Sequence, residues 1–195
     1  YSWSPSSNML GSSTRNPVVS PTSTTTYTCT VSNNITGCST SDSITITVQP
    51  APTVDAGTDF SVCASGSPIT LSGSPVGGTW SGTGVSGSTF TPPTNPGAYN
   101  LTYTVIQLGV SYSDIVVATV NARPNVTLSA FAAVCTGSPN ITLTGGSPSG
   151  GTYTVNGTSA TTFSPSTSGN YTIVYTYSDS NGCSNSASRT LTVDP

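Results

Sequence analysis

Three prolines and three tyrosines recur along this chain of 195 residues at a constant spacing of 72 residues. The recurring residues are Pro21, Pro93 and Pro165, followed in each copy by Tyr27, Tyr99 and Tyr171. A fixed period of this length indicates that one small structural unit is copied along the chain. The sequence therefore predicts a tandem array of similar modules, and the array itself is the expected basis of the function.

The limits of the copies follow from other residues that share this spacing. Cys63 and Cys135 are also 72 residues apart, and each copy closes on a run rich in threonine and β-branched residues, as at 44–48 and 190–193. Such runs are typical of a strand that ends a unit. The predicted units are residues 1–49, 50–121 and 122–195.

The first of these units, residues 1–49, corresponds to the C-terminal part of a copy whose first strands are absent. Its opening Tyr1-Ser2-Trp3 matches Thr79-Trp80, which lies in the middle of the next copy. Uncovered core residues such as Trp3 and Tyr27 would expose apolar side chains and unpaired backbone edges, which is unfavourable in water. We therefore expect residues outside 1–49, from the upstream chain or from a partner chain, to cover Trp3.

Alternation of apolar and polar residues predicts an all-β fold. In residues 171–177 every second side chain is aromatic or aliphatic, which is strand periodicity. Around seven short strands per unit of about 72 residues, with an aromatic residue in the third and a tyrosine opening the sixth, match an immunoglobulin-like β-sandwich. The predicted core aromatics are Trp3, Trp80 and Tyr153 in the third strand, and Tyr27, Tyr99 and Tyr171 at a tyrosine corner in the sixth.

The ionisable side chains are too few and too uniform for most catalytic sites. The chain has three arginines and six aspartates but no histidine, lysine or glutamate, and its net charge is −3. Neither a Ser/His/Asp nor a Cys/His arrangement can form, and aspartate is the remaining general base. No stretch reaches the roughly 20 apolar residues of a membrane span, and nothing would neutralise a run of phosphates. We expect a non-enzymatic protein without a cofactor, a membrane span or a nucleic-acid partner.

Five cysteines in a chain rich in serine and threonine favour an oxidising, extracellular setting. Cys29 and Cys38 flank Asn33-Asn34, a pair suited to a two-residue turn. Such a turn would place the two cysteines opposite each other at a site where side chains approach closely. A Cys29–Cys38 disulfide is therefore one expectation.

Cys183 has two candidate partners. Cys135 is the other cysteine of the unit 122–195, and a bridge within this unit is the first choice. In a sandwich, however, these two cysteines would lie at opposite ends, whereas end-to-end stacking of units would bring Cys63 towards Cys183. The remaining alternative is that the cysteines are free and buried.

Two further clusters are weaker candidates for binding. Asp55 and Asp59 could offer oxygen ligands to Ca²⁺, but a solvated turn between units is the favoured interpretation. Trp80, Tyr99 and Tyr103 could form a platform on which a sugar stacks. Their equivalent positions in successive copies favour packing in the core instead.

Several motifs resemble the PKD-type and Ig-like repeats of large cell-surface adhesins of Bacteroidota. The motifs are Trp3-Ser4-Pro5, Ser20-Pro21-Thr22, Gly37-Cys38, Val62-Cys63, Gly77-Gly78-Thr79-Trp80 and Asn181-Gly182-Cys183. The resemblance covers the whole chain and implies export by the type IX route and a role in surface adhesion or gliding. Asp42-Ser43-Ile44 also resembles an O-glycosylation site of these bacteria, which makes Ser43 a candidate for glycan attachment.

Three functions are compatible with these features. The leading hypothesis is a non-enzymatic stalk or adhesive region, at the cell surface or secreted, whose units are joined by stiff proline linkers at residues 49–52 and 121–124. Its expected partners are neighbouring repeats or identical subunits, with surface glycans as a further candidate. The first alternative is a filament subunit that assembles by strand complementation. The second is a carbohydrate-binding accessory module of a secreted enzyme.

Overall fold

The computed structural model describes residues 1–195 and contains β-strands but no helix, which confirms the predicted all-β class. The chain divides into two compact units, Tyr1–Pro52 and Thr53–Pro195. Within the second unit, no strand pair joins residues 53–121 to residues 122–195. We refer to residues 1–52 as the N-terminal unit, to residues 53–121 as module A and to residues 122–195 as module B.

The N-terminal unit is built around one long hairpin. Its strands are β1 (Ser2–Ser4), β2 (Met9–Leu10), β3 (Val18–Val19), β4 (Thr25–Ser32) and β5 (Ser39–Ile46). Strand β4 lies between β1 and β5 in an antiparallel three-stranded sheet, and β2 pairs with β3 alone. The outer edge of β5 therefore pairs with no other strand in this unit.

Module A has the seven strands expected of a small sandwich. They are β6 (Phe60–Cys63), β7 (Ile69–Thr70), β8 (Thr79–Ser81), β9 (Val85–Ser86), β10 (Thr89–Phe90), β11 (Gly97–Gln107) and β12 (Val110–Asn121). One sheet has the order β6-β12-β11-β8 and the other has the order β7-β10-β9. Strand β6 runs parallel to β12. The first half of the module therefore adds a strand to the sheet that contains the last hairpin, β11–β12.

The hairpin of β11 and β12 turns at Leu108-Gly109, where both residues have positive φ angles of 52° and 78°. Two successive positive φ angles define the tight turn whose twist matches that of the flanking strands. This turn allows eleven residue pairs in register, from Gly97 opposite Val120 to Gln107 opposite Val110.

Module B repeats this plan with nine strands. They are β13 (Thr127–Leu128), β14 (Val134–Cys135), β15 (Ile141–Thr142), β16 (Gly146–Ser147), β17 (Thr152–Val155), β18 (Thr158–Ser159), β19 (Thr162–Phe163), β20 (Gly169–Ser178) and β21 (Ser184–Asp194). The main sheet has the order β14-β21-β20-β17-β18, and β14 is parallel to β21. Both modules thus place an early strand beside the closing strand.

The cores consist of alternate residues of the long hairpins packed against the first half of each module. In module A these residues include Leu101, Val116 and Ala118, which are 0–1% exposed. In module B they include Ile173 and Leu191, both 0% exposed. Because strand side chains alternate between faces, each hairpin presents one apolar face to the other half of its module.

Strands β11 and β20 each carry a second tyrosine that is more deeply buried than the one predicted from the sequence. Tyr103 and Tyr175 are 3% and 2% exposed, whereas the predicted core residues Tyr99 and Tyr171 are partly buried and pack against the same cores. The Tyr103 hydroxyl donates to Pro75 O at 2.7 Å and accepts from Gly78 N at 2.8 Å. Tyr103 therefore closes the turn that leads into β8.

The second glycine of this turn is needed because the tyrosine ring lies against it, whereas the first, Gly77, has a positive φ of 95°. A Cβ atom at Gly78 would lie 2.5 Å from Tyr103 Cζ and 2.6 Å from Thr104 O. In module B, a Cβ atom at Gly151 would lie 2.5 Å from Tyr175 Cζ. The second glycine of the Gly-Gly motif before Trp80 and Tyr153 thus reflects close approach between the turn and the buried phenol, and the first reflects the positive φ of the turn.

Candidate functional site

The junction between modules A and B is held by a disulfide between Cys63 and Cys183, with a Cα–Cα distance of 5.5 Å. Cys63 ends β6 and lies opposite Asn121, the last residue of β12. Cys183 lies in the turn that precedes β21, where its amide donates to Asp179 Oδ1 at 2.8 Å. The disulfide thus connects the C-terminal end of module A to the turn that precedes β21 in module B.

Arg123 reinforces this junction through three hydrogen bonds. Its Nε donates to Ala64 O at 2.8 Å, and its Nη2 donates to Ser65 O at 3.4 Å. Ala64 and Ser65 belong to module A, whereas Nη1 donates to Ser184 O at 2.8 Å within module B. Because guanidinium is a planar fork with fixed donor directions, one side chain orients both modules.

A further hydrogen bond holds the start of module B to its own closing strand, from Asn185 Nδ2 to Pro124 O at 3.0 Å. Sequence reasoning treated the stretch containing Arg123 as a stiff linker and missed its role in the contact. The available signal was that an otherwise almost uncharged chain places one of its three arginines at the boundary. The linker and the disulfide together make the junction a built interface.

The predicted bridge between Cys135 and Cys183 is wrong. Cys135 is opposite Asp194 at the end of β21, whereas Cys183 directly precedes the start of β21 at Ser184. A strand of this length spans about 33 Å at roughly 3.3 Å per residue, and a disulfide needs Cα atoms within about 7 Å. The two cysteines therefore lie at opposite ends of module B, and Cys135 is exposed and free.

The predicted bridge between Cys29 and Cys38 is also wrong, because the turn is longer than two residues. Strand β4 pairs with β5 as far as Ser32 opposite Ser39, so residues 33–38 form the loop. Cys29 lies opposite Asp42 in this register, and both Cys29 and Cys38 are free thiols. The Asn33 side chain caps the loop by accepting from the amides of Ile35 and Thr36 at 2.9 and 3.2 Å.

The N-terminal unit leaves the inner face of its hairpin open. Ile44 lies opposite Tyr27 in the hairpin, as Ala118 lies opposite Tyr99 and Leu191 opposite Tyr171. Ile44 is 55% exposed, whereas Ala118 and Leu191 are both 0% exposed. The same residue position is thus surface in one unit and core in the other two.

A groove of about 430 Å³ runs along this open face. Its apolar lining comes from Tyr1, Trp3, Cys29, Val31 and Ile44. Trp3 is half-buried, and its Nε1 donates to Thr14 O at 3.1 Å within the same unit. Arg15 and Asp42 also line the groove, so the apolar surface carries one charge of each sign. Whether residues outside 1–49 cover Trp3 in an assembly remains a prediction.

The tyrosine corners of modules A and B have no counterpart in the N-terminal unit. Tyr99 and Tyr171 donate to the carbonyls four residues upstream, at 2.7 and 2.9 Å. Tyr27 is 2% exposed, and its hydroxyl is buried without a partner. The equivalent carbonyl, that of Ser23, accepts from Thr25 Oγ1 at 2.7 Å instead. The expectation of a tyrosine corner at Tyr27 is therefore wrong.

The two aspartates considered for calcium each bind a backbone amide of the chain. Asp55 Oδ1 accepts from Gly57 N at 2.8 Å, and Asp59 Oδ1 accepts from Val117 N at 2.8 Å. No three or more His, Cys, Asp or Glu side chains lie together as a metal site would require. Asp55 thus shapes a local turn, and Asp59 attaches the entry of module A to β12.

Asp114 plays a similar part on β12. Its Oδ2 accepts from Ala56 N at 2.9 Å. This hydrogen bond and one from the Ile115 amide hold the pKa of the Asp114 carboxyl below its ordinary value of 3.8, against a smaller opposing effect of desolvation. The carboxylate therefore fastens the first residues of module A to its last strand.

The aromatic residues considered for sugar stacking lie against the core. The rings of Trp80 and Tyr103 pack with their centroids 5.0 Å apart and their planes tilted by 41°. Trp80 and Tyr99 are partly buried against the core of module A. The candidate glycan-attachment residue Ser43 is exposed on β5, opposite Thr28. None of the chain's elements is a helix of the length and apolar character that crosses a membrane.

Comparison with known proteins finds similar solved structures only. No family model matches the sequence, and no curated protein matches it either. Titin domains I67–I69 are 15% identical with a TM-score of 0.42, and the match covers 99% of this chain and 87% of that chain. A Ca²⁺-stabilised adhesin of an Antarctic bacterium that binds ice is 17% identical with a TM-score of 0.38, covering 88% of this chain and 57% of that chain.

A third similar structure contains fibronectin(III)-like modules of Clostridium thermocellum CbhA. It is 18% identical with a TM-score of 0.32, and the match covers 73% of this chain and 94% of that chain. These neighbours are immunoglobulin-like and fibronectin-like structural or binding domains.

Proposed function

We propose that this chain is a non-enzymatic structural and adhesive region of an extracellular bacterial surface protein. The observation that carries the proposal is the covalent junction, in which the Cys63–Cys183 disulfide and the hydrogen bonds of Arg123 join two sandwiches. Disulfides persist in oxidising compartments. A junction fastened in this way suits a part that projects from a surface and bears load.

The use of the aspartates supports a non-catalytic role. The side chains of Asp55, Asp59 and Asp114 accept hydrogen bonds from backbone amides, as does that of Asp179 in the turn before Cys183. A general base must instead present its carboxylate to a substrate. In a chain without histidine, lysine or glutamate, these carboxylates serve the fold.

The motifs shared with Bacteroidota adhesin repeats support the finer part of the proposal. We infer a repeat of about 72 residues, with residues 50–121 and 122–195 as two units and residues 1–49 as the C-terminal part of a unit. In this proposal the region is exported by the type IX route, and its partners are neighbouring repeats and surface glycans. Tight linkage between repeats is what an extended adhesive array requires.

The test is surface exposure combined with adhesion. Antibodies against modules A and B should label intact, unpermeabilised source cells, and replacing residues 53–195 in the gene by a flexible linker of equal length should reduce attachment of the cells to surfaces. The control is a Ser7→Ala variant at an exposed position outside both modules. Labelling that appears only after permeabilisation, or attachment unaffected by the replacement, would contradict the proposal.

A further inference from the structure

The turn that carries Cys183 in module B has a counterpart in the N-terminal unit that carries Cys38. Both cysteines directly precede the closing strand, at Ser184 and Ser39. Corresponding hydrogen bonds close the two turns, although the turn of the N-terminal unit is one residue longer: Asp179 N to Cys183 O at 3.0 Å, Gly182 N to Asp179 O at 3.1 Å, Asn33 N to Cys38 O at 2.9 Å, and Gly37 N to Asn33 O at 2.9 Å. Cys38 therefore occupies the position from which Cys183 reaches another module.

Cys135 occupies in module B the position that Cys63 occupies in module A. Each ends the strand that runs parallel to the closing strand. The same hydrogen bonds follow each cysteine: Ala64 N to Asn121 O at 2.8 Å, Gly66 N to Cys63 O at 3.0 Å, Thr136 N to Asp194 O at 2.8 Å, and Ser138 N to Cys135 O at 3.1 Å. Cys135 therefore occupies the position that receives a cysteine of the following module.

The chain thus contains one disulfide between modules. It also contains one free cysteine at the position equivalent to Cys183 and one at the position equivalent to Cys63. Cys63 and Cys183 form the closed bridge, and Cys183 is fully buried within it. Cys38 and Cys135 are both exposed free thiols. The closed bridge demonstrates the geometry in which a cysteine of the Cys135 type bonds to a cysteine of the Cys38 type.

We propose that Cys135 of one copy and Cys38 of a second copy form a disulfide that joins copies of this chain head to tail. The two positions are different and complementary, so the contact is heterologous and can continue from copy to copy. Such linkage does not depend on which ligand the region binds.

Formation of this bond requires an oxidant, which is a small-molecule or enzyme-borne disulfide of the glutathione type. Each Cys38–Cys135 bond consumes two thiols and one disulfide of the oxidant, and it releases the oxidant as two thiols. The two electrons and two protons leave with those thiols. An oxidising extracellular compartment supplies this chemistry.

The test uses the full chain and two complementary variants. Cys38→Ser keeps Cys135, and Cys135→Ser keeps Cys38, while Cys29→Ser is the matched control. Each protein is incubated alone or in mixture with oxidised and reduced glutathione. Its mass is then measured without reduction, and its disulfides are mapped with pepsin at acidic pH. Circular dichroism and the Cys63–Cys183 peptide verify that each variant is folded.

The unmodified chain and the Cys29→Ser variant should give a ladder of oligomers containing a Cys38–Cys135 peptide. Each complementary variant alone should remain largely monomeric, and their mixture should give mainly a dimer with a single bridge. The mixed pair should exceed like pairs by about tenfold, a preference of about 1.4 kcal/mol.

Several results would overturn the proposal. One is that like pairs form as readily as the mixed pair, and another is that the mixture stays monomeric. A third is a Cys38–Cys135 peptide confined to monomers. In protein isolated from its source, a bridge from either cysteine to one outside this sequence would assign the contact to a different partner and would also contradict it.

Discussion

The hairpin of the N-terminal unit and the hairpins of modules A and B share a register but differ in what covers them. In module B, Leu191 is fully buried beneath the first half of the module, whereas Ile44 at the same position is 55% exposed. The difference indicates that the hairpin sequence forms the sheet and that the first half of a module creates the core. A hairpin residue's contribution to stability should therefore depend more on whether the first half of a module packs over it than on the residue type.

The largest effect should come from truncating the two equivalent aliphatic residues. Leu191→Ala should destabilise module B by about 2–5 kcal/mol, because it leaves a cavity in a packed core. Ile44→Ala should change the stability of the N-terminal unit by only about 0.5 kcal/mol, as at other surface positions. Hydrogen exchange of β20–β21 and β4–β5 in urea measures both values. Equal losses would show that the open face of the N-terminal unit is covered in solution.

Removing the junction disulfide should have the next largest effect. Cys63→Ser should destabilise the pair of modules by about 2–4 kcal/mol, because the bridge closes a loop between residues separated by 120 positions. Exchange of β4 and β5 should not change. Cys135→Ser is the control and should leave the melting temperature unaltered. If Cys135→Ser were as damaging as Cys63→Ser, the assigned pairing would be incorrect.

Removal of the buried tyrosine hydroxyls should change the free energy of unfolding differently in module A and in the N-terminal unit. Tyr103→Phe should cost about 1–3 kcal/mol, because Gly78 N and Pro75 O lose their partner. Tyr27→Phe should be neutral or stabilising, since the Tyr27 hydroxyl is buried without a partner. Chemical denaturation of both variants measures the difference. A clear loss of stability for Tyr27→Phe would mean that its hydroxyl has a partner in solution.

The smallest effect concerns acid. The pKa of Asp114 is lowered below 3.8 in the folded state by the Ala56 and Ile115 amides. Its carboxylate therefore contributes stability above pH 3.8 that is lost as the pH falls through the lower, folded-state pKa. Asp114→Asn should reduce the acid sensitivity of module A below this pH while leaving that of the N-terminal unit unchanged. Identical acid titrations of the two proteins would rule out this role.

The sequence predicted the strand class, but it did not predict which residues would be buried most deeply. Periodicity places Tyr99 and Tyr103 on one face of β11, and it cannot show that the Gly-Gly turn approaches the second ring. The same limit applies to the junction. Spacing identifies Cys63 and Cys135 as equivalents, whereas the partner of Cys183 depends on which ends of two sandwiches meet.

The length of the β4–β5 turn explains why the predicted Cys29–Cys38 disulfide is wrong. The pair Asn33-Asn34 suits a two-residue hairpin, but the following Thr36 and Gly37 belong to the same loop, and Gly37 adopts a positive φ of 72°. A loop of residues 33–38 moves the register so that Cys29 meets Asp42. Local propensity thus identified where the chain turns but not how many residues the turn contains.

The covalent connection between modules A and B is the central feature of this account. Its most direct test is disulfide mapping of unreduced protein, using pepsin at acidic pH so that bonds do not exchange. We predict a peptide in which Cys63 is bonded to Cys183, and no bond from Cys29 to Cys38. A peptide that joins Cys135 to Cys183 within module B would contradict it.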